Sequence, residues 1–304
     1  MKNKTAGAMM LLIATLIWGT AFVAQSLGAD RVGPFTFNGV RFLIGAFVLL
    51  PFILVTNRRN RRRDGEPSVE APRGLLLRGG VFCGSVLFAT AALQQIGIAY
   101  TTVGKAGFVN ALYIVIVPIL GLFFGKRVRP RTWGCIALAT VGLYFLCMNG
   151  KFSLGFGDAF VLISAFTTSI HILVIDYYSP KVDGVKLACL QFIVCGALSS
   201  AAALVFERPE PQTVLAAAGP ILYTGILSCG VAYTLQVLGQ KYVPPVVTCL
   251  ILSLEAVFSV LSGWIVLKET LSARELTGCV LMFTAILCSQ LPAMGKNKAK
   301  MPSD

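Results

Sequence analysis

The chain has 304 residues, of which 56% are hydrophobic and 13% charged, with a mean hydropathy of +0.78. A soluble domain must cover its surface with polar groups, so this balance excludes a water-soluble fold and leaves a polytopic membrane protein. The formal net charge of +13 raises nucleic-acid binding. No basic surface is interleaved with exposed aromatics, so that class is set aside.

In chain order, apolar segments span about 5–27, 34–56, 75–98, 104–124, 131–148, 156–175, 185–206, 214–238, 245–267 and 273–292. Each approaches the roughly 20 residues a helix needs to cross hydrocarbon. The first, within MKNKTAGAMMLLIATLIW, resembles a signal peptide. No small-x-small cleavage site closes it and a second apolar segment follows at once, so it is expected to be the first spanning helix. The longest connection is NRRNRRRDGEPSVEAPR, from Asn57 to Arg73.

Orientation follows from lysine and arginine in the connections. With the N-terminus in the cytoplasm, 19 of the 26 fall inside and 6 outside, and Arg41 lies within segment two. The excess charge is therefore read as a positive-inside signature. The Arg58–Arg63 cluster is suited to anionic lipid head groups.

The hairpin from Ala91 to Gly125 recurs, altered, between Ala232 and Leu267. Gly97 falls on Gly239, Tyr100 on Tyr242, Asn110 on Leu252, Tyr113 on Glu255 and Gly121 on Gly263. Further on, Trp133-Gly134-Cys135 lies beside Thr277-Gly278-Cys279. The first two segments match six and seven more faintly, with Gly7 on Gly157 and Arg41-Phe42-Leu43-Ile44 on Gln191-Phe192-Ile193-Val194. A repeat with an odd number of spans must re-enter the membrane from the opposite side. The expected fold is all-α, with ten transmembrane helices as two inverted five-helix repeats, residues 1–150 and 151–304, and both termini cytoplasmic. Many secondary transporters use this plan for alternating access.

The ten-segment plan, the Ile17-Trp18-Gly19 of segment one, the Val40-Arg41-Phe42-Leu43-Ile44 of segment two and the repeated hairpin together resemble the drug/metabolite transporter superfamily, EamA type. The resemblance covers essentially the whole chain. It implies a ten-helix bundle with a central cavity between the halves and transport of small metabolites, often export of amino acids or related compounds. One departure stands out. Many relatives carry Leu-Glu-Pro in segment nine, whereas Ala256 follows Leu254-Glu255 here. The proline break is therefore expected to be missing there, with Pro118 supplying a kink point in segment four.

Polar groups in hydrocarbon are costly, so those facing a cavity are functional candidates. Glu255 is the acid set deepest in an apolar run. It shares a helical face with Thr248, Ser259 and Ser262. It can exchange protons or fix a substrate amine, or it is a structural acid paired to another helix. His171 is the sole histidine. With Ser164 and Thr168 it makes a polar face on segment six, and it either titrates or simply packs. Gln94 and Gln95 in segment three and Gln236 in segment eight sit towards the ends of their spans, near opposite membrane faces, for substrate contact, gating or interhelical hydrogen bonding. Asn110 and Tyr113 lie one turn apart and offer the same choice. Trp18 shares a face with Thr15 and Gln25, as a cavity wall or as a packing or belt aromatic. Arg41 is expected to snorkel outward, the alternative being to hold an acid or a substrate carboxylate.

The nine cysteines lie in apolar runs without a Cys-x-x-Cys pair and are read as packing residues. One histidine does not make a multi-histidine metal site. No phosphate-binding Gly-Lys-Ser/Thr loop is present, and no metal or cofactor is expected. The functional expectation is a secondary-active exporter of small organic metabolites such as amino acids or drugs across the cytoplasmic membrane, with protons as the driving ion. The alternatives are an uncoupled facilitator or solute exchanger. From other classes, a membrane-embedded enzyme would need more acids or histidines at one face, and a structural subunit would not need an inverted repeat with an asymmetric charge.

Overall fold

The computed structural model describes residues 2–63, 73–101, 103–125, 128–147, 155–267 and 272–290. Every regular element among them is helical. The first three are long: α1 (Lys2–Ala29), α2 (Pro34–Arg63) and α3 (Arg73–Ala99). Next come α4 (Val103–Ala111), α5 (Tyr113–Phe123) and α6 (Pro130–Cys147). The second half opens with α7 (Phe156–Tyr178) and α8 (Gly184–Phe206). Short α9 (Pro211–Ala216) leads into α10 (Ala218–Tyr223), a π-helical stretch at Thr224–Tyr233, and α11 (Thr234–Gln240). The chain continues through α12 (Pro245–Leu252), α13 (Leu254–Leu267) and α14 (Ala273–Gln290). Proline opens α2, α6, α9 and α12, where its missing N–H needs no partner and its φ is already helical.

Among the described residues, eight helices are long and apolar enough to cross a membrane. Two of these count α4 with α5, and α12 with α13, as single spans. Helices α6 and α14 have 18 residues each, and Arg131, Arg274 and Glu275 in their first turns lower their hydropathy. They pack on each other, with Gly142 and Gly278 each so close to the other's carbonyl that an added Cβ would sit 2.9 and 2.7 Å from it. Such close approach of small residues is how helices associate where lipid removes the hydrophobic drive.

Packing runs mainly between residues before 150 and residues after it. Helix α2 lies along α8, α3 along α7 and α8, and α1 along the π-helical stretch, α11 and α13. Glycine contacts pin the registers. A Cβ on Gly97 would meet Gly157 O and Val161, and one on Gly239 would meet Gly7 O and Leu11. A Cβ on Gly84 would meet Gln191 O and Val194, and one on Gly225 would meet Arg41 O and Ile44. The partners differ by 150 in each case. The glycines differ by 142 in the first pair and 141 in the second. One extra residue therefore lies between Gly225 and Gly239, and the π-helix occupies that interval, as an inserted residue does when a helix absorbs it without breaking.

Two spans break at mid-length. Leu112 interrupts α4 and α5, where Val115 N bonds to Leu112 O at 2.9 Å in a three-residue step. Ser253 interrupts α12 and α13, with its hydroxyl turned back onto Leu250 O at 2.9 Å. A proline is not needed for the second break. Pro118 is not the break in the first: it lies inside α5, six residues beyond Leu112. Gly125 ends α5 at φ 73° with no atom near its would-be Cβ, the left-handed exit that glycine makes without strain. Seven of the eight described cysteines are buried, all eight are free, and Cys147 lies outside the described side chains.

Gly97→Val places a Cβ 2.5 Å from Val161 Cγ2 and 2.9 Å from a fixed carbonyl. It is expected to cost about 1–3 kcal/mol and lower the melting temperature in detergent. Gly134→Ala, with nothing within 4 Å, should leave it unchanged.

Candidate functional site

The two mid-span breaks, the π-helix and the centres of α1, α2, α3 and α7 surround one polar cavity with about 570 Å³ of empty space. Its walls come from both halves of the chain. Glu255, in the first turn of α13, is 5% exposed. Its Oε1 accepts from Asn110 Nδ2 and Tyr113 OH, both at 3.3 Å, from either side of the Leu112 break. The interruption in one span thus presents two donors to the acid beside the interruption in the other. Asn110 Oδ1 has no partner among the described residues.

Arg41 does not snorkel. It is 2% exposed and lines the same cavity. Its Nη1 donates to Gln25 Oε1 at 3.0 Å, and the guanidinium lies over the rings of Phe37 and Phe42 at 5.4 and 4.9 Å. Nε finds no acceptor among the described residues. Among those residues no ion pair joins Arg41 to Glu255. Tyr233, from the π-helix, lines the same cavity as both charges. Trp18 meets it edge-on at 4.8 Å, and its indole N–H has no partner among the described residues.

His171 shares a hydrogen bond of 3.1 Å with Gln191 Oε1 and packs edge-on to Tyr233 at 6.3 Å between ring centres. Thr168 lines the cavity one turn away, whereas Ser164 donates to Thr90 O at 3.0 Å. Gln94 and Gln236 both line this one cavity and so are not at opposite membrane faces. The Oε1 of Gln236 is unpartnered among the described residues. Two candidates lie elsewhere. Gln95 donates to Gln25 O at 3.1 Å and so ties α3 to α1. Ser259 is half-buried on α13, away from the cavity lining.

Sequence reasoning missed Tyr233, Ser228 and Thr90 as lining residues. Tyr233 and Ser228 sit in the π-helix, whose extra residue turns side chains off the face that a 3.6-residue period assigns them. The one-residue change in repeat offset between Gly84/Gly225 and Gly97/Gly239 was the available signal. Among the described residues no group of three or more His, Cys, Asp or Glu could hold a metal ion.

The arrangement is a polar chamber lined by a cationic side chain, an acid and neutral donors and acceptors. Comparison with known proteins gives it a context. The profile of the EamA-like transporter family matches residues 5–148 and again residues 155–290. The chain belongs to that family. It is 30% identical over 282 residues to an uncharacterized transporter of Archaeoglobus fulgidus, covering 92% of this chain and 84% of that one. It is 28% identical over 170 residues to a protein of Escherichia coli named a probable amino-acid metabolite efflux pump, covering 54% of this chain and 51% of that one. A crystal structure superposes with a TM-score of 0.76 over 94% of this chain and 96% of that one, at 19% identity, which establishes a shared fold. The protein is a multi-pass membrane transporter.

Tyr113→Phe removes one of the two donors to Glu255. It is expected to destabilise the protein by about 1–2 kcal/mol, read as a lower melting temperature in detergent.

Proposed function

We propose that the protein exports small amino-acid-like metabolites across the cytoplasmic membrane by alternating access, residues 1–150 rocking against 151–304. On this reading there are ten spans, with α6 and α14 as the fifth and tenth, and the basic connections hold both termini in the cytoplasm. The doubled family match and the glycine contacts that recur at a spacing of 150 support two inverted halves.

The observation that carries the substrate class is the pair of unlike charges in one cavity, unpaired with each other. A zwitterion brings a carboxylate to Arg41, whose Nε is free to donate, and an ammonium to Glu255. Both charges of the protein then gain partners that the empty cavity does not supply. Asn110, Gln236 and Trp18 offer further hydrogen bonds from the walls. The Escherichia coli relative's name points to the same class. Glu255 also serves as the coupling acid. A proton and a substrate amine compete for one carboxylate, so loading one releases the other, and exchange of the two across the membrane follows.

In a thermal-shift assay, free amino acids should raise the melting temperature through preferential binding to the folded state. The matching amine and the matching carboxylic acid, offered alone, should each raise it less. In proteoliposomes, an imposed pH gradient should accelerate uptake of any solute so identified. Glu255→Gln should abolish the pH-driven component. Flux that follows only the solute gradient in the unmodified protein would remove proton coupling, and full pH-driven uptake by Glu255→Gln would remove Glu255 from that role.

A further inference from the structure

The N-termini of α2 and α8 occupy matching positions in the two halves but are capped in different ways. Helix α8 follows the ordinary rule: Asp183 precedes it, and its Oδ1 accepts from Val185 N and Lys186 N, each at 2.9 Å. Helix α2 has Gly33 at the position 150 residues earlier, and glycine has no side chain to cap with. Its orphan amides are satisfied from across the molecule. Glu207, at the C-terminal end of α8, accepts from Phe35 N at 2.7 Å through Oε1 and from Thr36 N at 2.7 Å through Oε2. Thr36 Oγ1 also donates to Oε2 at 2.7 Å. A Cβ on Gly33 would fall 2.3 Å from the Glu207 carboxyl carbon, so the missing side chain is what admits the acid.

A cap supplied in cis moves with its helix, whereas a cap supplied by the other half is broken when the halves part. We infer that Glu207 is a latch between the halves that holds this face of the transporter closed. The face carries further ties of the same kind. Thr101 donates to Asp158, whose other oxygen accepts from Gly155 N at 2.8 Å, and Arg31 donates to Ala216 O. The opposite face lacks these acids at the matching places: Asn57 stands 150 residues before Glu207, and Ala8 stands 150 before Asp158. There the partner of Gly7 is the apolar Val243 with Gly239 O. On the first face acids accept hydrogen bonds across the halves, whereas on the opposite face Arg131 donates to the backbone oxygen of Cys288 between α6 and α14. On the orientation proposed above, the latched face is the outer one. The inference rests on the alternating-access reading in treating this face as a gate, but its test requires no solute and no flux.

The test separates latching from helix capping. Spin labels are placed at positions 30 and 212, both exposed and on opposite halves, on a ketone-bearing non-natural residue, so that the nine native cysteines stay in place. Distances are measured by electron–electron double resonance in the full chain. Glu207→Ala should raise the ratio of long to short distances at least about tenfold, the effect of losing even one of its three charged hydrogen bonds. The double variant Gly33→Asp/Glu207→Ala restores a cap in cis, in the space the acid vacates. It should regain the thermal stability lost by the single variant while keeping the long-distance population. A return to the wild-type distribution in the double variant would make Glu207 a helix cap and nothing more. An unchanged distribution in both variants would also overturn the latch, whatever happens to solute transport.

Discussion

A guanidinium and a carboxylate lie inside a bundle whose outer surface faces hydrocarbon, and among the described residues neither pairs with the other. Taking a charge out of water costs several kcal/mol in real proteins even after relaxation. Everything around the cavity reduces that cost without cancelling the charges. Gln25 and two phenyl faces attend Arg41. Asn110 and Tyr113 attend Glu255. Had the two ions met directly, the chamber would be neutral and a polar solute would have nothing to replace. Their separation leaves unused hydrogen-bonding capacity for something that enters.

That capacity depends on helices that do not run straight. An unbroken span presents side chains to the centre only every third or fourth residue. The interruption at Leu112 places Asn110 and Tyr113 on either side of it, both reaching one oxygen of Glu255. The interruption at Ser253 brings Glu255 into a first turn, where the positive end of the following helix favours an acid. The π-helix of Thr224–Tyr233 brings Tyr233 into the lining shared by the two charges. Backbone irregularity at mid-depth is tolerated because it lines a cavity, where neighbouring side chains supply its partners.

Much of the fold was legible because a membrane imposes a coarse rule. Runs of apolar residues bounded by basic connections place most helices to within a few residues. The apolar boundary failed where helicity outlasts hydropathy: segment two was expected to end near residue 56, yet α2 continues to Arg63. The site was legible where a polar residue stands alone in an apolar run, as with Glu255, His171 and Asn110. It was less so for Arg41, because a long side chain near a span end serves equally to snorkel or to turn inward. Only packing against Phe37 and Phe42 decides between the two. Tyr233 was missed for a different reason. Its place in the cavity depends on an inserted residue, and a periodic reading has no way to register an insertion until two contacts on either side of it are compared.

The two halves are alike in scaffold and unlike where a cycle needs them to differ. Gly97 and Gly239 do the same work against Gly157 and Gly7. Tyr113 of one half donates to Glu255 of the other, the acid that the hairpin alignment sets opposite it. Asp183 caps its own helix, while Gly33 leaves that task to Glu207 from the far half. Inversion of two identical halves would give two faces of equal stability and a cavity without polarity. An acid in one half, met by a tyrosine and an asparagine of the other, gives the cavity a direction. On the latch inferred above, moving one cap from cis to trans makes one face harder to part than the other. Bias between inward and outward states can then arise from a few side chains, with the helical framework left nearly symmetric.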